Sequence, residues 1–335
     1  MTHNTPFAFL ICTERSGSNL LTNMLNGHPD ISAPPPSHLF RLFASNAANY
    51  GALDKDANWR ILLQDVVQAF AHQLGSWNTS LDVIDLLACD LPRTVIAPIA
   101  ELYRAEAAFD GANMVFVKEN HTARFADVLQ RQLPGCRFVY MVRDPRDVAA
   151  SYLATDSMPG GVERAIDVWA TDQAENLRLQ QNSSNQTLHA LRYEDLLADA
   201  PGCLSQISAF LGLEYDPAML AFHRDDRTRR NAKRIDAWKN LAKPVLSGNS
   251  GKYRQSLSAA EIEYIELHCH ALMRAFGYTP DIVTNPPESG AVAQRCAELL
   301  PQLRPGAHKI ATPTEIDIRE RRLAMIETVK ARHLR

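Results

Sequence analysis

A short polar segment near the start of the chain combines residue types that bind an anionic group. The segment reads TERSGSN and spans residues 13–19. Gly17 lets the backbone approach a ligand closely, and Arg15 offers a rigid cationic fork. Ser16 and Ser18 add hydroxyl donors. Because the Gly-Lys-Ser/Thr ending of an ATP–Mg²⁺ loop is missing, the segment predicts an anion site of another kind, with an ordinary strand–helix turn as the alternative.

The residues around this segment place it between a strand and a helix. The apolar run at residues 7–12 predicts a buried strand. Leu20, Leu21, Met24 and Leu25 recur at helical spacing directly after the segment. Backbone N–H groups at a helix start have no partner within the helix and lie at the positive end of its dipole. The predicted geometry therefore favours anion binding.

Three further strands are predicted, and each ends close to a polar residue. Apolar runs at residues 114–117, 137–142 and 188–191 alternate with helical patterns, which predicts an α/β fold with a central parallel sheet between two helical layers. Lys118, Arg143 and Tyr193 lie at or just past the ends of these runs. Ligands bind at the carboxyl ends of strands in such sheets. We therefore expect these side chains to meet the first loop.

The predicted domain organisation has one main domain and an extension. Residues 1–278 form the main domain, with a helical insert at about 57–110 that prolines divide into two or three helices. Residues 279–335 form a linker and a helical extension, whose helix begins at a Thr312–Glu315 capping box. Leu323, Ile326 and Val329 give this helix an apolar face, which we expect to pack on the core, with a homodimer contact as the alternative.

Composition limits the class of protein. The chain has 335 residues, 46% hydrophobic, and a net charge of −3, which gives no general attraction to nucleic acid. No apolar run has the length of a membrane span, and the first strand begins too early for a signal peptide. The six cysteines are scattered without CxxC spacing, which indicates reduced thiols. We expect a cytoplasmic protein without a metal site.

The polar segments together resemble a known family. TERSGSNLL, MVRDPRDVAASYL and LRYEDLL are similar to segments of the sulfotransferases that use 3′-phosphoadenosine 5′-phosphosulfate (PAPS). The resemblance covers about residues 7–275. It is strongest to the branch with RSGS loops, which includes tyrosylprotein, trehalose and polyketide-chain sulfotransferases. It implies a P-loop-like α/β/α fold and release of 3′-phosphoadenosine 5′-phosphate (PAP).

The resemblance also implies roles for individual residues. The cradle for the 5′-phosphosulfate would consist of Arg15, Ser16, Gly17, Ser18 and Asn19. Arg143 and Ser151, which have the spacing of the family's 3′-phosphate motif, would bind that phosphate. Tyr193 would lie near the adenosine, and Gly251 and Lys252 would belong to a late SGKYR loop that closes over the nucleotide. Arg15 and Lys118 would stabilise charge on the transferred and leaving groups.

The general base is the point where this chain departs from its relatives. Related enzymes place a Glu after the first helix, whereas the corresponding PPPSHLF segment has Pro36 at the acidic position. His38, which follows this rigid segment, is the favoured replacement because an imidazole suits proton transfer near neutral pH. His121 and Glu119, which follow the second predicted strand at residues 114–117, are the alternatives.

These observations predict transfer of a sulfuryl group from PAPS to a hydroxyl. The acceptor would be a small molecule, a carbohydrate, or a lipid or polyketide chain, with peptide tyrosine also open. A phosphoryl transferase of related fold and an inactive PAP-binding module are the alternatives. The missing Walker residues argue against the first, and only Pro36 argues for the second.

Overall fold

Five parallel strands form the centre of the fold. The computed structural model describes residues 5–155, 158–234, 236–244, 248–306 and 313–335. In the order β2-β3-β1-β4-β5, the first strand is central. The strands are β1 Phe7–Ile11, β2 Ile31–Ser32, β3 Met114–Lys118, β4 Arg137–Val142 and β5 Leu188–Arg192. All four pairings are parallel, so the carboxyl ends of the strands share one edge.

Helices cover both faces of the sheet. They are α1 Ser18–Asn26, α2 Leu39–Ser45, α3 Asp56–Ala71, α4 Val83–Ala88, α5 Ala97–Asp110, α6 Ala126–Gln132, α7 Pro145–Leu153, α8 Gly161–Gln181, α9 Tyr193–Ala198, α10 Ala200–Leu211, α11 Asp226–Arg234, α12 Tyr253–Ser256, α13 Ala259–Ala275, α14 Ser289–Leu299 and α15 Pro313–Lys330. None of these described helices is long and apolar enough to span a membrane.

The position of β1 in the centre of the sheet explains why its residues form a continuous apolar run. All five residues of β1 are buried. Successive side chains of a strand point to opposite faces, so Phe7 and Phe9 enter one apolar core while Ala8 and Leu10 enter the other. A strand buried on both faces needs apolar residues at every position. The predicted α/β fold with a central parallel sheet is confirmed.

Some elements differ from the sequence predictions. The helical insert contains α3, α4 and α5, and Pro98 lies in the first turn of α5, where its missing N–H is not needed. The two-residue strand β2 and the helices α2 and α14 were not predicted. Two residues are too few to show a strand period, and β2 is stabilised by pairing with β3.

The C-terminal helix packs on the main body of the chain. α15 lies against α2 and α3, and its Met325 and Val329 are buried. Leu323, which the sequence placed on the apolar face, is 58% exposed, so that part of the prediction is wrong. The predicted Thr312–Glu315 cap includes a residue outside the described ranges. The division at residue 279 and the homodimer contact stay predictions.

Candidate active site

A cavity of about 400 Å³ opens at the carboxyl edge of the sheet. It lies where β1, β4 and β5 end, and it brings together residues that are far apart in sequence. Most of the predicted binding residues line it, namely Arg15, Gly17, Ser18, Asn19, Arg143, Ser151, Tyr193 and Lys252. Ser16 is fully buried beside this wall, and Gly251 lies in the loop next to it without lining the cavity.

The loop between β1 and α1 leaves hydrogen-bond donors available. No side chain caps the start of α1, so its first backbone N–H groups have no side-chain acceptor. The hydroxyl Oγ of Ser16 is buried and has no hydrogen-bond partner among the described residues. A buried polar atom without a partner costs free energy, and an anion with several acceptor oxygens would remove that cost.

Gly17 is required by both backbone conformation and space. Its φ angle is +88°, and a Cβ atom built on it would lie 2.2 Å from Cε2 of Tyr193. Both features exclude a side chain at this position.

We expect Gly17→Ala to displace either the loop or the Tyr193 ring and to abolish ligand binding in this cavity. Thermal unfolding should show a loss of about 1–3 kcal/mol, the usual cost of local backbone strain. The matched control is Gly111→Ala, which has a similar positive φ of +70° but no atom within 4 Å of the added Cβ. Equal ligand binding by the Gly17 variant and the wild-type protein would contradict this view of the loop.

Arg143 links three parts of the cavity wall. Its Nη1 donates to the backbone oxygen of Arg15 at 2.9 Å, and its Nη2 donates to that of Asn249 at 3.0 Å. Its guanidinium carbon lies 4.5 Å from the centre of the Tyr193 ring. Its buried Nε has no hydrogen-bond partner among the described residues. Arg143 therefore holds two loops together and keeps one donor unused.

Arg15 also lines the cavity. Its Nε donates to the Ser151 hydroxyl at 3.0 Å, so Ser151 contacts Arg15 in this structure, whereas the sequence paired it with Arg143. Burial and the nearby Arg143 lower the pKa of Arg15. Two guanidinium groups that repel each other in a partly buried space would be stabilised by an anion between them.

The late loop is held by a carboxylate that the sequence did not single out. Asp147 on α7 accepts hydrogen bonds from the backbone N–H groups of Gly251 at 2.7 Å and Tyr253 at 3.1 Å. These bonds place Lys252 at the cavity wall. A role for Asp147 could have been suspected from its place in the DPRD segment, where it directly follows Arg146.

Residues between α11 and α12 complete the cavity, and no sequence motif had indicated them. They are Trp238, Asn240, Leu241, Lys243, Pro244 and Asn249. The preceding helix is fixed by Arg227, whose Nη1 lies 2.7 Å from Glu106 and whose Nη2 lies 3.1 Å from Asp110. This arginine supports the wall through its ion pairs and does not line the cavity itself.

The predicted base His38 lies in a separate buried cluster, together with Glu119. Its Nδ1 is 3.7 Å from Oε2 of Glu119, and neither atom has a hydrogen-bond partner among the described residues. Burial and the cations Lys118, Arg322 and Arg41 lower the pKa of His38 well below its usual value. Burial raises the pKa of Glu119 to about 7. Burial therefore favours the neutral form of both groups.

Lys118 and His121 lie next to this cluster. Lys118 is buried, burial lowers its pKa, and its Nζ donates to Oδ1 of Asn120 at 2.8 Å. The Nδ1 atom of His121 lies 2.9 Å from Oδ1 of Asp172, which fixes the imidazole ring. Neither side chain lines the 400 Å³ cavity.

Three predicted catalytic residues share an unusual backbone conformation. Among the described non-glycine residues, positive φ angles occur at Arg15 (66°), His38 (60°) and His121 (59°). This region of φ is costly for residues with a Cβ atom, and such residues cluster at functional sites. The coincidence supports a functional role for all three.

Known proteins resemble this chain in both sequence and fold. The sequence pattern of the Sulfotransferase family matches residues 6–217, which contain β1 to β5 and all of the predicted binding residues except Gly251 and Lys252. The chain belongs to the sulfotransferase family. Among curated proteins, this sulfotransferase is 24% identical over 213 residues to a provisionally named protein-tyrosine sulfotransferase of Caenorhabditis briggsae. That match covers 62% of this chain and 66% of the relative, which is just under two thirds of the relative's length.

Solved sulfotransferase structures share the fold. The sulfotransferase domain from the curacin biosynthetic pathway has a TM-score of 0.57 at 19% identity, covering 85% of this chain and all of that domain. The sulfotransferase domain of the olefin synthase of Synechococcus PCC 7002 has a TM-score of 0.56 at 23% identity, covering 83% and 97% of the two chains. Identities this low support the architecture of this sulfotransferase and carry no information on its acceptor.

Proposed function

We propose that the protein transfers the sulfuryl group of PAPS to an acceptor hydroxyl and releases PAP. The observation that carries this proposal is the 400 Å³ cavity, in which Arg15, Arg143 and the uncapped start of α1 converge. Small-molecule sites have volumes of roughly 300–1,000 Å³, so the cavity is large enough for such a ligand. The family, the positive charge and the unused donors all support a doubly phosphorylated nucleotide.

The residues present fit that nucleotide. The buried Ser16 hydroxyl and the Nε of Arg143 have no hydrogen-bond partners among the described residues, and both would gain acceptors from phosphate oxygens. We assign the 5′ end to the loop of residues 15–19 and the 3′-phosphate to Arg143 and Ser151, with Tyr193 beside the base. Lys252 would close the site from the late loop.

In the proposed mechanism, the residues of the nucleotide cavity and the His38–Glu119 pair have different roles. PAPS supplies the sulfuryl group when bound. Arg15 would stabilise negative charge that develops during transfer, an effect worth about 3–4 kcal/mol for a well-placed donor in other enzymes. Lys118, which lies near His38 and does not line the nucleotide cavity, would act from the side of the acceptor. His38 would accept the proton of the attacking hydroxyl, and Glu119 would stabilise the imidazolium that forms. Glu119 would thus supply a carboxylate to the site, where related enzymes have a Glu at the position of Pro36.

This arrangement predicts how activity depends on pH. The base is active when the His38–Glu119 pair has lost a proton, so kcat/KM should rise with pH through about 7, the value to which burial raises the pKa of Glu119. The apparent value belongs to the pair. In Glu119→Gln the cations around His38 are no longer offset, so the rise should move to lower pH and the plateau should fall. A pH–rate series on both proteins measures this shift.

The same series contains its own control. Titration of the nucleotide phosphates affects both proteins equally, so only a difference between them reports on the pair. A rise at the same pH in the wild-type protein and in Glu119→Gln would remove Glu119 from the mechanism and favour His121.

The proposal itself is tested by isothermal titration of the protein with PAP in EDTA. Binding without metal, together with sulfation of a hydroxyl acceptor, is the expected result. Binding without turnover on any acceptor class would indicate an inactive PAP-binding module. If PAP does not bind, the proposal is wrong, and ATP and GTP with Mg²⁺ become the ligands to examine.

A further inference from the structure

A second cavity of about 380 Å³ lies between α2 and α15, and we call it the α2–α15 cavity. It shares no lining residue with the first cavity. His38, the proposed base, is part of its wall, as is the neighbouring Ser37. Ser37 Oγ donates to Oε1 of Glu119 at 3.4 Å, which connects this cavity to the proposed proton-accepting pair.

The polar lining of this cavity carries excess positive charge. Arg41, Arg322 and Lys330 all contribute to it. Lys330 is balanced by Glu327, whose Oε1 lies 2.9 Å from its Nζ. Glu119 lies near both Arg41 and Arg322. Burial and the neighbouring Arg41 lower the pKa of Arg322.

Arg322 also has an unused donor. Its Nη2 donates to the backbone oxygen of Ser37 at 3.0 Å, whereas its buried Nη1 has no hydrogen-bond partner among the described residues. A guanidinium fixed at one nitrogen and unsatisfied at the other is well placed to bind an oxyanion. Since Arg322 and His38 line the same cavity, that oxyanion would lie in the cavity that contains the base.

The rest of the lining is mostly apolar. It consists of the polar residues Ser45 and Asn46 and the apolar residues Leu39, Leu42, Ala69, Leu323, Met325 and Ile326. Leu323 is 58% exposed, an unfavourable position for a large apolar side chain. Contact with an apolar ligand would remove part of that surface from water.

We propose that the α2–α15 cavity binds the acceptor, and that the acceptor is an amphipathic molecule with an apolar body and an oxyanion held by Arg322 and Arg41. The proposal rests on the function proposed above, because it identifies this cavity as the acceptor site through His38, and it requires the acceptor to extend past His38 so that its hydroxyl meets the donor in the nucleotide cavity. It makes the C-terminal helix a specificity element of the enzyme. A carboxylate and a phosphate offer the same chemistry to the two arginines, and the experiment separates them.

The test is isothermal titration of the full chain, saturated with PAP, with octanoate, octyl phosphate and 1-octanol. We expect at least one of the two anions to bind at least tenfold more tightly than 1-octanol, and the tighter one identifies the anion class. Arg322→Met should remove the difference between anion and alcohol. The matched control is Arg321→Met, which deletes the same charge from an exposed neighbour on α15 whose ion pair is with Asp317.

Each outcome decides for or against the proposal. Equal binding of octanol and both anions, or equal loss in the Arg321 and Arg322 variants, would overturn it, as would no binding of any probe. If Arg322→Met does not fold, as judged by circular dichroism, Arg322→Lys and Arg41→Met replace it and should each reduce the preference at least threefold. A separate PAP titration tests the proposed function on its own. If the protein binds an anion but does not bind PAP, the proposed function is wrong and only the anion site remains.

Discussion

Replacing Arg143 by alanine is expected to weaken PAP binding about 100-fold or more. The change removes the buried guanidinium that joins the backbone of Arg15 to that of Asn249 and stacks on Tyr193. It also removes the donor assigned to the 3′-phosphate. A hydrogen bond to a charged group contributes about 1.5–3 kcal/mol, and here several contacts disappear together. Isothermal titration with PAP in EDTA measures the effect.

Arg137→Ala provides the control for this result. Arg137 begins the same strand, β4, at the edge of the sheet opposite the cavity, and it too stacks on an aromatic ring, that of Phe210. Its loss should leave PAP binding within about twofold of the wild-type value because it lies far from the site. Unchanged affinity in Arg143→Ala would show that the nucleotide does not use this cavity.

Replacing His38 by alanine is expected to lower kcat about 10²–10⁴-fold and to leave PAP affinity unchanged. This range is the usual contribution of a positioned base. The imidazole lines the α2–α15 cavity and lies apart from the nucleotide cavity, so the two measurements should separate. Steady-state kinetics with saturating acceptor, together with PAP titration, gives both numbers.

His121→Ala is the informative comparison. His121 is 23% exposed and bonded to Asp172, which would also orient it as a base. If its loss lowers kcat more than the loss of His38 does, the proton acceptor is His121 and the assignment to His38 is wrong. A small effect of His121→Ala beside a large effect of His38→Ala would support the pair with Glu119.

The sequence predicted the sheet better than it predicted the site around it. The observed bounds of β4, Arg137–Val142, match the prediction, because a strand buried on both faces leaves an uninterrupted apolar run. Arg15 and Arg143 were placed at one cavity because parallel strands bring their carboxyl ends to a common edge.

Contacts between segments that are far apart in the chain could not be predicted from the sequence. Glu119 was one of three open choices for the base, and only the folded chain shows its Oε2 3.7 Å from His38. Arg322 contacts Ser37 across 285 residues, so no local pattern could have linked the C-terminal helix to the site. The DPRD segment could have pointed to Asp147 itself but not to its partners, because Gly251 and Tyr253 lie in a loop whose position depends on tertiary packing.

The three positive φ angles at Arg15, His38 and His121 also bear on how this protein can be engineered. Each costs about 1 kcal/mol relative to glycine, so a sequence optimised only for thermal stability would replace these residues with glycine or asparagine. Such a redesign would raise the melting temperature and remove three side chains that we place in or beside the chemistry. Stabilised variants of this protein should therefore keep these three positions fixed and seek their gains elsewhere.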